Sequence, residues 1–199
     1  MTFPSTGERV LATAEDMRAF GAELGASLAA GDVVILDGPL GAGKTTLTQG
    51  IASGMGVRGR VTSPTFTIAR EHRSTVGGPD LVHVDAYRLF GEEGPAADSG
   101  GSGMAALDAL DSLDLDTDLE ECVVVAEWGA GLVEQLSDTY LLVTIDREAL
   151  RGGAGDGAVG DGAVGDGAVG DGTAGDGGDD WGDDFGGDEP RLVRWRRVS

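Results

Sequence analysis

Val33-Val34-Ile35-Leu36-Asp37-Gly38-Pro39-Leu40-Gly41-Ala42-Gly43-Lys44-Thr45-Thr46 is the stretch that decides the fold. Its four aliphatic residues, set between Gly31-Asp32 and Asp37-Gly38, predict a short strand buried on both faces. A glycine-rich turn follows, and residues 44–52 read as a helix. Gly38 to Thr45 match G-x-x-x-x-G-K-[ST] in full, in the strand, turn and helix context that gives the pattern its meaning. A triphosphate packs several negative charges into a small volume, so it needs many donors converging without bulk between them. Gly38, Gly41 and Gly43 allow backbone N–H groups to turn inward, and the helix adds the positive end of its dipole. Lys44 can then reach the β- and γ-phosphates, and Thr45 offers a hydroxyl to Mg²⁺ bridging them. The expected nucleotide-binding set is Gly38, Leu40, Gly41, Ala42, Gly43, Lys44, Thr45 and Thr46.

Working outward, Thr13 followed by Glu15 and Asp16 predicts a helix start, and Met17, Phe20, Leu24 and Leu28 recur at helical spacing until Gly31 closes the segment. Further strands are predicted at Leu81–Asp85, 122–127 and 140–145, each short, apolar and bounded by polar residues or glycine. Leu107, Leu110, Leu113, Leu115 and Leu119 suggest an acidic helix or turn leading into the 122–127 strand. Arg191–Val198 alternates Leu192, Val193, Trp195 and Val198 with arginines, as an edge strand would, and is expected to pair with 140–145 as a hairpin. The expected fold is therefore α/β and P-loop NTPase-like: a mostly parallel central sheet flanked by helices, with an antiparallel C-terminal hairpin.

The chain has 199 residues and a formal net charge of −21. That charge is concentrated in two stretches. Residues 92–121 carry ten carboxylates and residues 152–189 eleven, with no Lys or Arg in either, so the remainder is electrically balanced. The second stretch holds the repeat Asp-Gly-Ala-Val-Gly at 156–160, 161–165 and 166–170, whose period of five does not fit a calcium β-roll. So little apolar surface cannot offset ordering entropy, and a self-repelling linker is expected there. The domain reading is one P-loop ATPase domain, 1–151 plus 190–199, with a Gly/acidic loop at 91–106 and a disordered insertion at 152–189. No apolar run is long enough for a membrane helix and Met1 to Arg9 lack a secretion signal, so a cytoplasmic location is expected. Cys122 is the single cysteine, which excludes an intrachain disulfide and a cysteine metal cluster. A pI near 4.1 argues against a broad nucleic-acid face, and no DNA partner is expected.

A nucleotide-hydrolysing site also needs an acidic group toward Mg²⁺ and something to orient water, usually at the carboxyl ends of neighbouring strands. Asp85 ends one predicted strand and Glu127 another. Ser63-Pro64-Thr65-Phe66-Thr67 presents hydroxyls that could sense a γ-phosphate, or is a plain hydroxyl-rich turn. His72 and His83 lack the paired spacing of a metal site and read as surface or core residues. Lys44 is the only lysine, so an Asn-Lys-x-Asp guanine motif cannot occur and ATP is favoured over GTP.

The segments 38–46 and 63–67, with His83-Val84-Asp85-Ala86-Tyr87-Arg88-Leu89 and Val125-Ala126-Glu127-Trp128, in this order and at these distances, resemble the TsaE (YjeE) family of small bacterial P-loop ATPases. The resemblance covers about residues 9 to 145 plus the final strand. It implies ATP and Mg²⁺ as cofactors, Thr45 and Glu127 as metal ligands, and Asp85 and the Thr65 region assisting hydrolysis. It also implies Trp128 near the nucleotide and the base near Thr13. The implied role is in threonylcarbamoyl modification of adenosine in the tRNA anticodon loop, with TsaB and TsaD as partners and tRNA touched at most indirectly. Two other readings of the phosphate loop stand beside this one: a kinase passing the γ-phosphoryl group to a small acceptor, and a nucleotide-gated scaffold without catalytic need.

Overall fold

A computed structural model describes residues 3–64, 68–85, 121–128, 137–150 and 189–199. Along the chain run β1 (Thr6–Leu11), α1 (Ala14–Gly25), β2 (Val33–Asp37), α2 (Lys44–Met55), β3 (Ala69–His72), β4 (Leu81–Asp85), β5 (Val123–Glu127), β6 (Tyr140–Asp146) and β7 (Arg191–Val198). The strands form one sheet in the order β1-β7-β6-β2-β5-β4-β3. Its centre, β6-β2-β5-β4, is parallel throughout. The pairings β1 with β7, β7 with β6 and β3 with β4 are antiparallel. The α/β sheet with a parallel centre and an antiparallel C-terminal hairpin is thus as the sequence predicts. The Leu107 to Leu119 segment, the 91–106 loop and the repeat lie outside the described residues.

One placement differs from expectation. β7 is not an edge strand, because β1 pairs with it along its outer side, from Thr6 opposite Arg196 to Leu11 opposite Arg191. The alternation in β7 reports one-sided burial: Val193 and Trp195 enter the core while Arg194 and Arg196 are exposed. β1 is the true edge. It buries only Leu11 of its six residues and so leaves no apolar pattern to read. β3, four residues long, is equally silent.

α1 starts as predicted, in a capping box: the Asp16 amide donates to Thr13 Oγ1 at 3.1 Å and the Thr13 amide to Asp16 Oδ2 at 3.1 Å. It ends at Gly25, earlier than the spacing of Leu28 suggests. Local bonds take over there, with Ser27 Oγ donating to the Leu24 carbonyl at 2.7 Å and the Ala29 amide to Asp32 Oδ2 at 2.8 Å. α2 runs to Met55 and stops at Gly56, whose φ of 68° is left-handed.

The two helices pack with their backbones almost touching. A Cβ on Gly50 would lie 2.3 Å from the Arg18 carbonyl oxygen, and one on Gly21 would lie 2.5 Å from that of Leu47. Phe20, Leu24, Leu47 and Ile51 close over Val34, Leu36, Val123, Val125, Val143 and Ile145 of the sheet. Because strand side chains alternate, Leu81 and Val123, which join this core, set His83 with Asp85 and Val125 with Glu127 on the same face. The polar ends of β4 and β5 therefore lie on the side that carries α2.

Candidate active site

Three left-handed glycines shape the turn between β2 and α2: Gly38 (φ 150°), Gly41 (φ 70°) and Gly43 (φ 103°). Gly43 is the N-cap of α2 and brings no capping side chain, so the first helical N–H groups stay available to an anion. No acidic residue occupies the first turn of that helix to compete for them. Leu40 at the tip of the loop is 81% exposed, whereas Ala42, Lys44, Thr45 and Thr46 are buried.

Lys44 folds back over its own loop, with Nζ donating to the Gly38 carbonyl at 2.8 Å and the Pro39 carbonyl at 3.0 Å. The same ammonium sits 3.7 Å from the centre of the Trp128 ring, within cation–π range. Trp128 has a φ of 61°, a left-handed conformation that is costly for a bulky residue. Its amide donates to the Leu36 carbonyl at 3.2 Å, which holds the turn after β5 against β2.

Thr45 Oγ1 donates to Glu127 Oε1 at 2.9 Å, joining the start of α2 to the end of β5 across 82 positions of sequence. His83 Nε2 lies 2.9 Å from the same Oε1. Glu127 Oε2 receives no hydrogen bond among the described residues. Asp85 stands beside Glu127 in register on β4 and accepts a bond from Ser63 Oγ at 3.1 Å. All of these acids and the histidine are nearly fully buried.

The residues named from sequence thus divide. Lys44, Gly38 and Trp128 meet at the loop, Thr45 meets Glu127, and Asp85 meets the Ser63 segment. Thr13 spends its hydroxyl on capping α1. Thr65 lies outside the described residues. Two participants escaped the sequence reading. One is His83, whose signal was its spacing of two from Asp85, which puts both on one strand face. The other is Arg147, whose Nη1 donates to the Leu40 carbonyl at 3.3 Å while Nη2 reaches Glu189 Oε2 at 3.4 Å; nothing local marks it.

The donor set suits one small hard cation shared with phosphate oxygens. Among the described residues no three His, Cys, Asp or Glu side chains cluster as a self-sufficient metal cage. A threonine hydroxyl and one carboxylate, 2.9 Å apart at a helix N-terminus, are instead the few oxygen donors from which Mg²⁺ is usually held alongside a nucleotide. Among the described residues no helix is long and apolar enough to cross a membrane.

Fold and site together define a class: an α/β protein whose glycine loop runs from a central parallel strand into a helix, with acidic strand ends beside it. Residues 11–152 match the family model described as threonylcarbamoyl adenosine biosynthesis protein TsaE. The chain belongs to the TsaE family. Among relatives, the tRNA threonylcarbamoyladenosine biosynthesis protein TsaE of Mycobacterium tuberculosis is 53% identical over 142 residues, 71% of this chain and 79% of that protein. Its namesake from Streptomyces coelicolor is 54% identical over 131 residues, 66% of this chain and 79% of its own length. The Bacillus subtilis one is 37% identical over 118 residues, 59% and 63% of the two chains. The crystal structure of Bacillus subtilis YdiB, 24% identical, superposes with a TM-score of 0.58 over 100% of this chain and 90% of that one, a likeness of fold.

Proposed function

We propose that this protein binds Mg-ATP at the 38–46 loop and hydrolyses it in support of threonylcarbamoyl modification of adenosine in the tRNA anticodon loop, acting with TsaB and TsaD. Family membership and the names of the relatives support the pathway. The observation that carries the nucleotide chemistry is the Thr45 to Glu127 contact of 2.9 Å beside a loop whose only lysine is drawn inward.

On this reading the inward N–H groups of the loop and the start of α2 take the phosphates, and Lys44 exchanges two carbonyl partners for phosphate oxygens. A charged partner makes that exchange favourable, since charge-assisted bonds are about twice as strong as neutral ones. Thr45 and Glu127 would hold Mg²⁺, which when bound neutralises charge developing on the transferred phosphoryl group. Asp85, anchored by Ser63, together with the Thr65 region orients the attacking water. Trp128 covers the lysine and keeps bulk water from the loop. Hydrolysis by the isolated chain is expected to be slow, because a transition-state arginine supplied by a partner is worth roughly 10³–10⁵ in rate.

Calorimetry of Mg-ATP binding tests the reading. The wild-type chain is expected to bind and Lys44→Ala to lose binding; equal binding by both would overturn it. Glu127→Gln then separates an ATPase from a nucleotide-gated scaffold. In a reconstituted tRNA modification reaction it is expected to stop turnover after the first round, whereas undiminished turnover would mean that hydrolysis is dispensable. Transfer of label from γ-labelled ATP to an acceptor rather than to free phosphate would establish the kinase alternative.

A further inference from the structure

We infer that His83 is a positioning residue for Glu127: it clamps one carboxylate oxygen so that the other is presented to the metal. The inference rests on the metal-binding reading of Thr45 and Glu127 given above. A carboxylate only accepts hydrogen bonds, so the 2.9 Å contact requires His83 Nε2 to be the donor. Thr45 Oγ1 donates to that same Oε1, which therefore has two donors converging on it while Oε2 has none among the described residues. The imidazole is fully buried, and its Nδ1 has no partner among the described residues.

That unsatisfied Nδ1 decides between a structural and a positioning role. A buried polar group left without a partner destabilises the fold, so a histidine kept only to fill space between β4 and β5 would be better replaced by leucine. What the imidazole supplies in return is one directed N–H at a fixed height above the sheet. β4 and β5 are paired in register, His83 opposite Val125 and Asp85 opposite Glu127, so the ring reaches one step along its neighbour to the carboxylate. A glutamate has three rotatable bonds. Held at Oε1 from β4 and from α2, it is confined to one rotamer, and its free oxygen keeps one direction before any ligand arrives. Outer partners of this kind typically change metal affinity by 10–100-fold when removed.

The experiment measures Mn²⁺ binding to the full chain with ATP by electron paramagnetic resonance, and ATP binding without metal by calorimetry, for His83→Leu, His83→Gln and Glu127→Gln. The Gln amide can place an N–H where Nε2 stands. His83→Leu is expected to weaken Mn²⁺ binding about 10–100-fold with metal-free ATP binding unchanged, and His83→Gln to restore most of it. Three outcomes overturn the inference. Unaltered Mn²⁺ affinity in His83→Leu shows that no clamp is needed. Equal losses in the Leu and Gln variants show that only ring shape matters. Unaltered affinity in Glu127→Gln removes the ligand itself, which separates failure of the metal reading from failure of the histidine's role. Circular dichroism melts keep the comparison to folded chains; if His83→Leu does not fold, a His83→Gln variant that binds Mn²⁺ no better than Glu127→Gln overturns it.

Discussion

His72 closes β3 with its side chain buried and its Nε2 without a hydrogen-bond partner among the described residues. Burial pushes its pKa below the ordinary 6.5; the neighbouring His83 and Arg70 push the same way, against a backbone hydrogen bond involving Arg58. In the unfolded chain the imidazole takes its proton at the ordinary value, so between the two pKa values the unfolded state holds more protons. The stabilisation is therefore fully present above 6.5 and is lost as pH falls through the lower folded value. His72→Leu is expected to flatten this part of the pH dependence. Urea midpoints above and below 6.5 check it: the drop on the acid side should be smaller in the variant than in the wild type, and identical drops would show that other groups carry the acid sensitivity. At the site itself, single atoms decide more than residue types do. Glu127 matters because two donors share one of its oxygens, and Trp128 because a left-handed φ of 61° lays its ring over Lys44.

At the scale of elements, α1 and α2 pack closely along Leu47 to Gly54 of α2. Replacing Gly50 by Ala raises intrinsic helix propensity by about 1 kcal/mol. Against this, the new methyl would meet the Arg18 carbonyl at 2.3 Å. A clash with backbone cannot be relieved by a rotamer, so the helices must part, and overpacking of this kind costs typically 1–3 kcal/mol. The net expectation is a loss. A lower thermal midpoint for Gly50→Ala checks it, and an unchanged or raised midpoint would mean that the helices slide freely. Thr13→Ala, at the other end of α1, removes one capping bond and is expected to destabilise by about 1 kcal/mol; an unchanged urea midpoint would show that Asp16 alone caps the helix.

At the scale of the molecule, β6 and β7 are the adjacent strands of a hairpin, with Asp146 opposite Leu192, although more than forty residues separate them. The ends of that connection are held by the sheet and by Arg147, which reaches Glu189. Replacing 152–188 by a short Gly/Ser linker is expected to keep both the fold and Mg-ATP binding. Loop-closure entropy then favours the shortened chain by about 0.6 kcal/mol per halving of loop length. Thermal melts and calorimetry of the deletion check this; a large loss of stability would assign the segment a structural role. The strand, glycine turn and helix at 33–55, the acid-tipped strands and the C-terminal hairpin were legible in sequence, because burial on two faces and fixed turn chemistry leave local patterns. β1 and β3 were not, since an exposed edge buries too little to impose one. The sequence by itself therefore determined which residue types stand in the 38–46 loop and at the neighbouring strand ends: three glycines, a lysine, a threonine and two acids. Tertiary structure alone decided that Thr45 and His83 share one oxygen of Glu127 and that Trp128 lies on Lys44. Those contacts join residues up to 84 positions apart through strand register and helix docking, and no local periodicity encodes the pairing of distant elements.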